Sequence, residues 1–462
     1  MYTRYGKNIE ITLPIIFLIS LLFVNVFFFD SVLIGDYSNA IILASSGVLM
    51  FVLSLLKEHN CQSILRSVQT AFKNILIPLQ ILLLVGALSG AWLFSGVIPT
   101  MVYYGMKTLD AHWFLPLTVL FSALVSVLTG SSWTTSATVG LALMGIGESL
   151  GFNAPVVAGA VISGAYFGDK ISPMSDTTNL AAIVSGTKLF THIRYMLYTT
   201  IPSLIITLLF FVIYGFFTNG TDEVNLEIYL KAIESSLFVH PLLLLIPLLV
   251  VLLISLKVST VKALFFGVVF SVLVGVYIHP KIALTDLYDV VFSDYHLELN
   301  NNQLNELFSS SGVFGMSTTI ALIIAAVFFG AILEANHGVE KISQLILKSI
   351  SSIFQLFFTT VCFCLGLNMI TADQYLSIIL SGKVFEKVYR DKNLAPENLS
   401  RTIEDSGTVT SALIPWNTCG VYQSTVLNVD TLSYLPFAIF NIVSPLTTMV
   451  FALFKLKIRT LK

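Results

Sequence analysis

Apolar positions dominate this chain, in runs longer than a globular core requires. A helix needs about 20 apolar residues to cross a bilayer. Uncharged runs of that scale fall at Ile11–Phe29, Tyr37–Leu56, Asn74–Met106, Tyr195–Thr221, Ser235–Leu256, Leu307–Leu333, Ser349–Ala372 and Thr431–Phe454, with a shorter one at Ala263–Ile278. Three more apolar stretches, Ala111–Gly147, Ser149–Gly168 and Ser406–Val429, are interrupted by polar residues. They predict half-helices and re-entrant hairpins beside the full spans. The expected fold is an all-α polytopic membrane protein with broken helices.

The interruptions come in two matched sets. One opens at Thr129-Gly130-Ser131-Ser132-Trp133 and closes at Ser172-Pro173-Met174-Ser175-Asp176-Thr177-Thr178-Asn179. The other opens at Thr371-Ala372-Asp373-Gln374-Tyr375 and closes at Ile414-Pro415-Trp416-Asn417-Thr418-Cys419. Thr129 to Pro173 and Thr371 to Pro415 are both 44 positions, and an offset of 242 relates the sets. The same offset carries Val85 onto Val327, Gly96 onto Gly338, Val97 onto Val339 and Trp133 onto Tyr375. Polar, Pro- or Gly-broken backbone at membrane depth is tolerated only where protein buries it or a cavity receives it. Broken segments at corresponding positions of two halves point to a transporter's binding site. The expected organisation is a first inverted-topology repeat over 1–217, an external linker over 218–236 and a second repeat over 237–462.

Composition agrees. The 462 residues are 56% hydrophobic and 11% charged, where a soluble domain carries about 25% charged residues. The net charge of −2 excludes a nucleic-acid role resting on global basicity. The four cysteines are too few and too apolar in setting for a disulfide framework or zinc site, so Cys362 and Cys364 read as helix-packing residues. Ile11–Phe29 is long enough to remain as a span, and no signal-peptide cleavage pattern follows it.

Lys and Arg in short loops stay cytoplasmic. Arg4 and Lys7 place the N-terminus inside, and Lys455, Lys457, Arg459 and Lys462 place the C-terminus inside. Acid-rich Asp222–Glu234 and Asp286–Glu306 read as external. The first half therefore starts inside and the second outside, which is the inversion. Gln62–Ile75 and Lys341–Ile353 mix polar and apolar residues, as either interfacial amphipathic helices or cytoplasmic linkers.

Carboxylates embedded in a membrane cost about 2.5–3.5 kcal/mol on insertion scales. Each needs a partner, a cavity or a proton. Five qualify: Asp373, Asp176, Asp169, Glu404 and Asp405. Asp373 follows 24 uncharged residues and stands where the first set has Ser131, so it is the leading proton-coupled acid. Asp176 reads as a helix cap that can also be a ligand. Asp169, beside Lys170, reads equally as an ion-pair member, a cytoplasmic residue or a ligand. Glu404 and Asp405 follow Arg401 at a spacing that permits a helical ion pair with Glu404. No Lys or Arg falls deep within an uncharged run.

Hard cations prefer oxygen ligands. Thr129, Ser131, Ser132, Thr177, Thr178 and Asn179 supply them in the first set. Thr371, Ser411, Asn417 and Thr418 supply them in the second. Each alone could bond a helical carbonyl; their clustering in two equivalent places is the signal. Trp133, Tyr375 and Trp416 border the breaks as wall or packing residues. Burial favours a protonated carboxylate and a nearby cation favours an ionised one, so one acid can hold a proton or a sodium ion but not both. Competition of that kind suffices for antiport.

The motif strings quoted above, with Gly168-Asp169-Lys170-Ile171 and Leu399-Ser400-Arg401-Thr402-Ile403-Glu404-Asp405-Ser406-Gly407-Thr408, resemble the NhaC-type sodium/proton antiporter family. The resemblance covers nearly all of the transmembrane core. It implies a secondary transporter of the cell membrane exchanging cytoplasmic sodium for external protons, with no cofactor. Relatives that exchange malate for lactate, or handle amino acids, make a sodium-coupled organic-anion or amino-acid transporter the alternative. A homodimer is open, although no interface is legible. A filter-type channel fits inverted repeats with embedded acids poorly. An embedded enzyme would need a nucleophile–base or metal constellation, and none is legible.

Overall fold

The computed structural model describes residues 9–29, 32–57, 60–108, 110–217, 223–297, 308–336 and 350–461. Arg4, Lys7, Gly338 and Val339 lie outside the described residues, as do 218–222 of the expected linker and 341–349 of the second expected amphipathic stretch. The described chain is almost entirely helical, with one two-stranded ribbon pairing Tyr295–His296 with Ser309–Ser310. Eight helices among the described residues are long and apolar enough to cross a membrane, or up to ten if each of two bent pairs is one span. Their outward faces carry large apolar side chains, such as Ile205, Leu209 and Ile213 on Leu189–Phe217. Lipid, not water, is the solvent such faces require.

Three expected runs are broken where local chemistry demands it. Asn74–Met106 is interrupted at Ser95-Gly96, where Gly96 takes φ +77°. Ser235–Leu256 bends by 97° between Leu230–Ser236 and Pro241–Ser255; a residue before proline is pushed out of the helical region, and His240 is extended at φ −145°. Thr431–Phe454 bends by 56° after Leu435–Phe437, which contains Pro436. Helix Cys61–Asn74 forms where amphipathic character predicts one, capped by Asn60 through the Gln62 and Ser63 amides.

Helix bounds repeat at the offset of 242. Ala111–Thr129 corresponds to Ile353–Thr371, and Asp176–Ser185 to Thr418–Leu427, with identical offsets at both ends. Ala154–Ile171 corresponds to Pro396–Leu413, which runs as an α-helix over Pro396–Ile403, a π-turn over Glu404–Thr408 and a 3-10 turn over Val409–Leu413. The stretch from Ser132 to Ser149 corresponds to Gln374–Asp391, but contains a π-turn at Ser136–Gly140.

The two sets interlock. Asp176–Ser185 packs on Gln374–Asp391, and Thr418–Leu427 packs on the stretch beginning at Ser132. Outside this centre, Ser38–Leu56 lies against Ser317–Ala335, and Thr260–Ile278 against Leu76–Phe94. Within the first set, Ala154–Ile171 meets Ala111–Thr129 closely at Gly164 and Gly168, where an added Cβ would strike the Val119 and Ala123 backbone. Small residues let membrane helices approach in this way. Gly147 does the same against Val157 and Phe114, in keeping with a packing role for the glycines of Gly140–Gly147.

Candidate functional site

Each break is a helix end whose free backbone groups are capped. Ala111–Thr129 stops at Gly130, in the left-handed region at φ +69°. Ser131 then runs extended and its hydroxyl accepts the Thr134 amide at 3.2 Å. The helix that follows presents the amide and hydroxyl of Ser132 to Asp169 Oδ2, at 3.1 and 2.7 Å. Asp169, only 6% exposed, thus sits at a helix N-terminus, where free N–H groups favour an anion. Its neighbour Lys170 is not its partner.

At the second break, Ser172 donates to the Val127 carbonyl at 2.8 Å and Ser175 caps helix Asp176–Ser185 through the Thr178 amide. Asp176 is therefore the first helical residue and not the cap itself, and its side chain is exposed. Thr177 and Thr178 face inward. Both hydroxyls reach Glu404 Oε1, at 3.1 and 3.5 Å, and Thr178 also reaches the Lys170 carbonyl at 2.9 Å. The Asn179 amide bonds the Pro173 and Ser175 carbonyls.

At the third break, Ala372 takes φ +54° and Asp373 caps the next helix by accepting the Leu376 amide at 2.9 Å. At the fourth, Asn417 caps through the Cys419 amide at 3.0 Å and its side-chain amide donates to the Asn368 carbonyl. The Thr418 amide donates to the Ala372 carbonyl at 2.9 Å, which ties the two breaks together. Thr129 and Thr371 make the same contact, hydroxyl to the carbonyl of Ser131 and of Asp373 respectively. Ser411 contacts Gln374 at 3.4 Å, at the positions equivalent to Asp169 and Ser132.

Glu404 and Asp405 open the π-turn, and both are fully buried. Such turns recur at functional sites. Asp405 is ion-paired with Lys170, and Thr199 and Thr448 donate to it as well. Glu404 Oε2 has no hydrogen-bond partner among the described residues. Asp169 lies within electrostatic reach of both Glu404 and Asp176, and half-buried Tyr375 lies within reach of Asp169, Asp176 and Asp373. Trp133 stacks on Tyr422 with ring centroids 4.1 Å apart, and Trp416 donates to the Met369 carbonyl.

Lys170 and Arg401, which lie outside the uncharged runs, are both fully buried. Arg401 does not pair with Glu404; its guanidinium stacks 4.6 Å above the Tyr195 ring, because Glu404 turns toward Thr177 and Thr178. Sequence reading also missed Thr199, Ser444 and Thr448. Their signal was hydroxyls at helical spacing in otherwise apolar runs, Thr199-Ser203-Thr207 on one helix and Ser444-Thr448 on another.

Apolar spans enclosing paired helix breaks, with carboxylates and hydroxyls gathered at the breaks, define a membrane carrier for a small ion. Residues 164–456 match the Na+/H+ antiporter family, and the chain belongs to that family. It is 37% identical over 374 residues to the Na+/H+ antiporter NhaC of Alkalihalophilus pseudofirmus strain OF4, covering 81% of each chain. It is 36% identical over 397 residues to the Na+/H+ antiporter NhaC of Bacillus subtilis strain 168, covering 85% of this chain and 87% of the other. The malate-2H+/Na+-lactate antiporter of Bacillus subtilis strain 168 is 32% identical over 394 residues, covering 85% and 84%.

Proposed function

We propose that this chain exchanges sodium ions for protons by alternating access, with the transported cation held between Asp169, Glu404, Thr177 and Thr178. The observation that carries the reading is the imbalance of charge at the breaks. Asp169, held by Ser132, and Glu404, held by Thr177 and Thr178, are buried there without a basic partner among the described residues, while the buried amine of Lys170 is already paired with Asp405. Buried carboxylates that lack a counter-ion take a proton or a metal cation. Glu404, with one oxygen held by two hydroxyls and the other without a partner among the described residues, is the acid best placed to switch between them. Asp373, on the Tyr375 side, is the second proton-coupled acid. Ser132 orients Asp169. Thr129, Ser131, Thr371, Asn417 and Thr418 shape the breaks, and Ser411 lies at the position equivalent to Asp169.

The matched helix bounds support two repeats, and the loop charges support their inversion with both termini in the cytoplasm. Under this reading the site lies between repeats at the membrane midplane, as alternating access requires. The malate/lactate relative favours one alternative cargo, an organic anion moved with sodium. With Lys170 neutralised by Asp405, such an anion would depend on helix N-termini for its counter-charge.

Purified protein in liposomes with an internal pH dye tests the reading, with sodium, potassium, malate and lactate offered separately. Proton movement on sodium alone is expected. Movement only when malate or lactate is present would replace antiport by the organic-anion reading.

A further inference from the structure

The Asp405 carboxylate sits among buried hydroxyls that sodium/proton exchange at Glu404 leaves without a role. Oδ2 accepts from Thr199 at 2.7 Å and from Thr448, and the Ser444 hydroxyl lies 3.4 Å from Oδ1. All four residues are fully buried, and they come from three separate helical segments. Into this cage Lys170 projects its ammonium, which pairs with Oδ1, donates to Ser444 Oγ at 2.8 Å and lies 5.4 Å from the centre of the Phe440 ring.

We propose that the cage of Asp405, Thr199, Ser444 and Thr448 is a monovalent-cation site whose resident cation is the tethered ammonium of Lys170. Asp405 Oδ1 and Ser444 Oγ meet the ammonium directly, and Thr199 and Thr448 hold Oδ2 beside it, so a carboxylate and three hydroxyls supply oxygens of the kind a hard cation takes. With the lysine paired to Asp405 Oδ1 and Ser444, sodium is excluded from those oxygens. Exchange is thereby confined to the neighbouring Glu404 side, and Lys170 sets the number of sodium ions the chain can hold. Shortening Lys170 empties a chain-length of space beside the buried Asp405 carboxyl. Sodium then replaces the ammonium by outcompeting a proton for the uncovered carboxyl, since a buried charge without a partner is strongly destabilising.

The test reads binding and stability, not transport, so its failure is separate from failure of the exchange reading. Equilibrium binding of radioactive sodium and thermal unfolding are measured on purified protein in sodium chloride and in choline chloride. Lys170→Ala is expected to bind one more sodium ion per chain than the native protein. Its Tm should rise in sodium over choline by roughly 2 °C or more beyond any native rise, as ligand linkage requires. Lys170→Ala combined with Asp405→Asn should lose both effects. Lys170→Ser, which leaves a hydroxyl in the emptied cage, is the second route to the same result. Unchanged sodium stoichiometry with equal Tm in the two salts would overturn the proposal, as would failure of both Lys170 variants to fold in sodium chloride.

Discussion

Ser131 and Asp373, 242 positions apart, perform the same backbone task. Each follows a left-handed residue, each is extended, and each accepts the amide three positions on, Thr134 at 3.2 Å and Leu376 at 2.9 Å. A serine hydroxyl therefore suffices to cap this kind of break, and the fold alone does not demand a charge at 373. Asp373→Ser keeps the cap and removes the carboxylate. Its thermal stability should stay within about 0.5 kcal/mol of native, since Ser and Asp are comparable caps, while sodium-driven proton movement in liposomes is abolished. Native rates of exchange would remove Asp373 from the coupling machinery.

Glu404 separates charge from hydrogen bonding more sharply. Glu404→Gln retains an oxygen for the Thr177 and Thr178 hydroxyls, so the protein should fold and unfold at a Tm close to native. Exchange should fall at least a hundredfold, because an amide neither ionises nor takes a proton. Thr177→Val keeps the charge but removes one oxygen from the proposed cation shell. It should raise the sodium concentration for half-maximal exchange several-fold and leave the maximal rate nearly unchanged. A reduced maximal rate with unaltered sodium dependence would assign Thr177 a packing role instead.

The positions of the breaks were legible in the sequence because clustered Pro, Gly and hydroxyl residues inside an apolar run mark where a membrane helix must end or turn. The offset of 242 was legible for the same reason, and helix bounds such as Asp176–Ser185 and Thr418–Leu427 follow it. Partner choice was not legible. Lys170 adjoins Asp169, yet successive helical side chains point about 100° apart, and Lys170 turns to Asp405 in the other set. Arg401 stands three residues before Glu404, where an ion pair is allowed, but Tyr195 offers a ring face from a helix about 200 residues earlier. Local spacing states what is permitted; which of the permitted contacts form depends on the helices that pack alongside.

Equivalent positions also let bond strengths be compared within one molecule. Ser126 donates to the Ala165 carbonyl at 2.6 Å, and Asn368, 242 residues later, donates to the Gly407 carbonyl at 2.7 Å. Asn368 additionally reaches Thr410 at 3.0 Å, and its own carbonyl receives Asn417. Removing a buried hydrogen-bond partner costs about 1–3 kcal/mol, as the group left behind is unsatisfied. Ser126→Ala should lie at the low end of that range, and Asn368→Ala, which removes two hydrogen bonds, at the high end or beyond. Thermal unfolding of the two variants side by side reads the difference. Equal losses would show that the Thr410 contact contributes nothing.

The first and third breaks place different residues in the same backbone conformation, Gly130 at φ +69° and Ala372 at φ +54°. A residue with a Cβ pays roughly 1–2 kcal/mol in the left-handed region, and glycine does not. At Gly130 an added Cβ would also come within 2.7 Å of the Met174 backbone, where the first break crosses the second. Gly130→Ala therefore combines backbone strain with a clash against main chain that cannot swing away, and should destabilise by at least about 2 kcal/mol. Ala372→Gly goes the opposite way. Relief of strain exceeds the added freedom of the unfolded chain, so stability should rise by about 0.5 kcal/mol. Tm measured in detergent gives both signs. A stabilised Gly130→Ala would mean that the close approach to Met174 is absent in solution, and a destabilised Ala372→Gly would mean that the Ala372 methyl contributes packing greater than its strain.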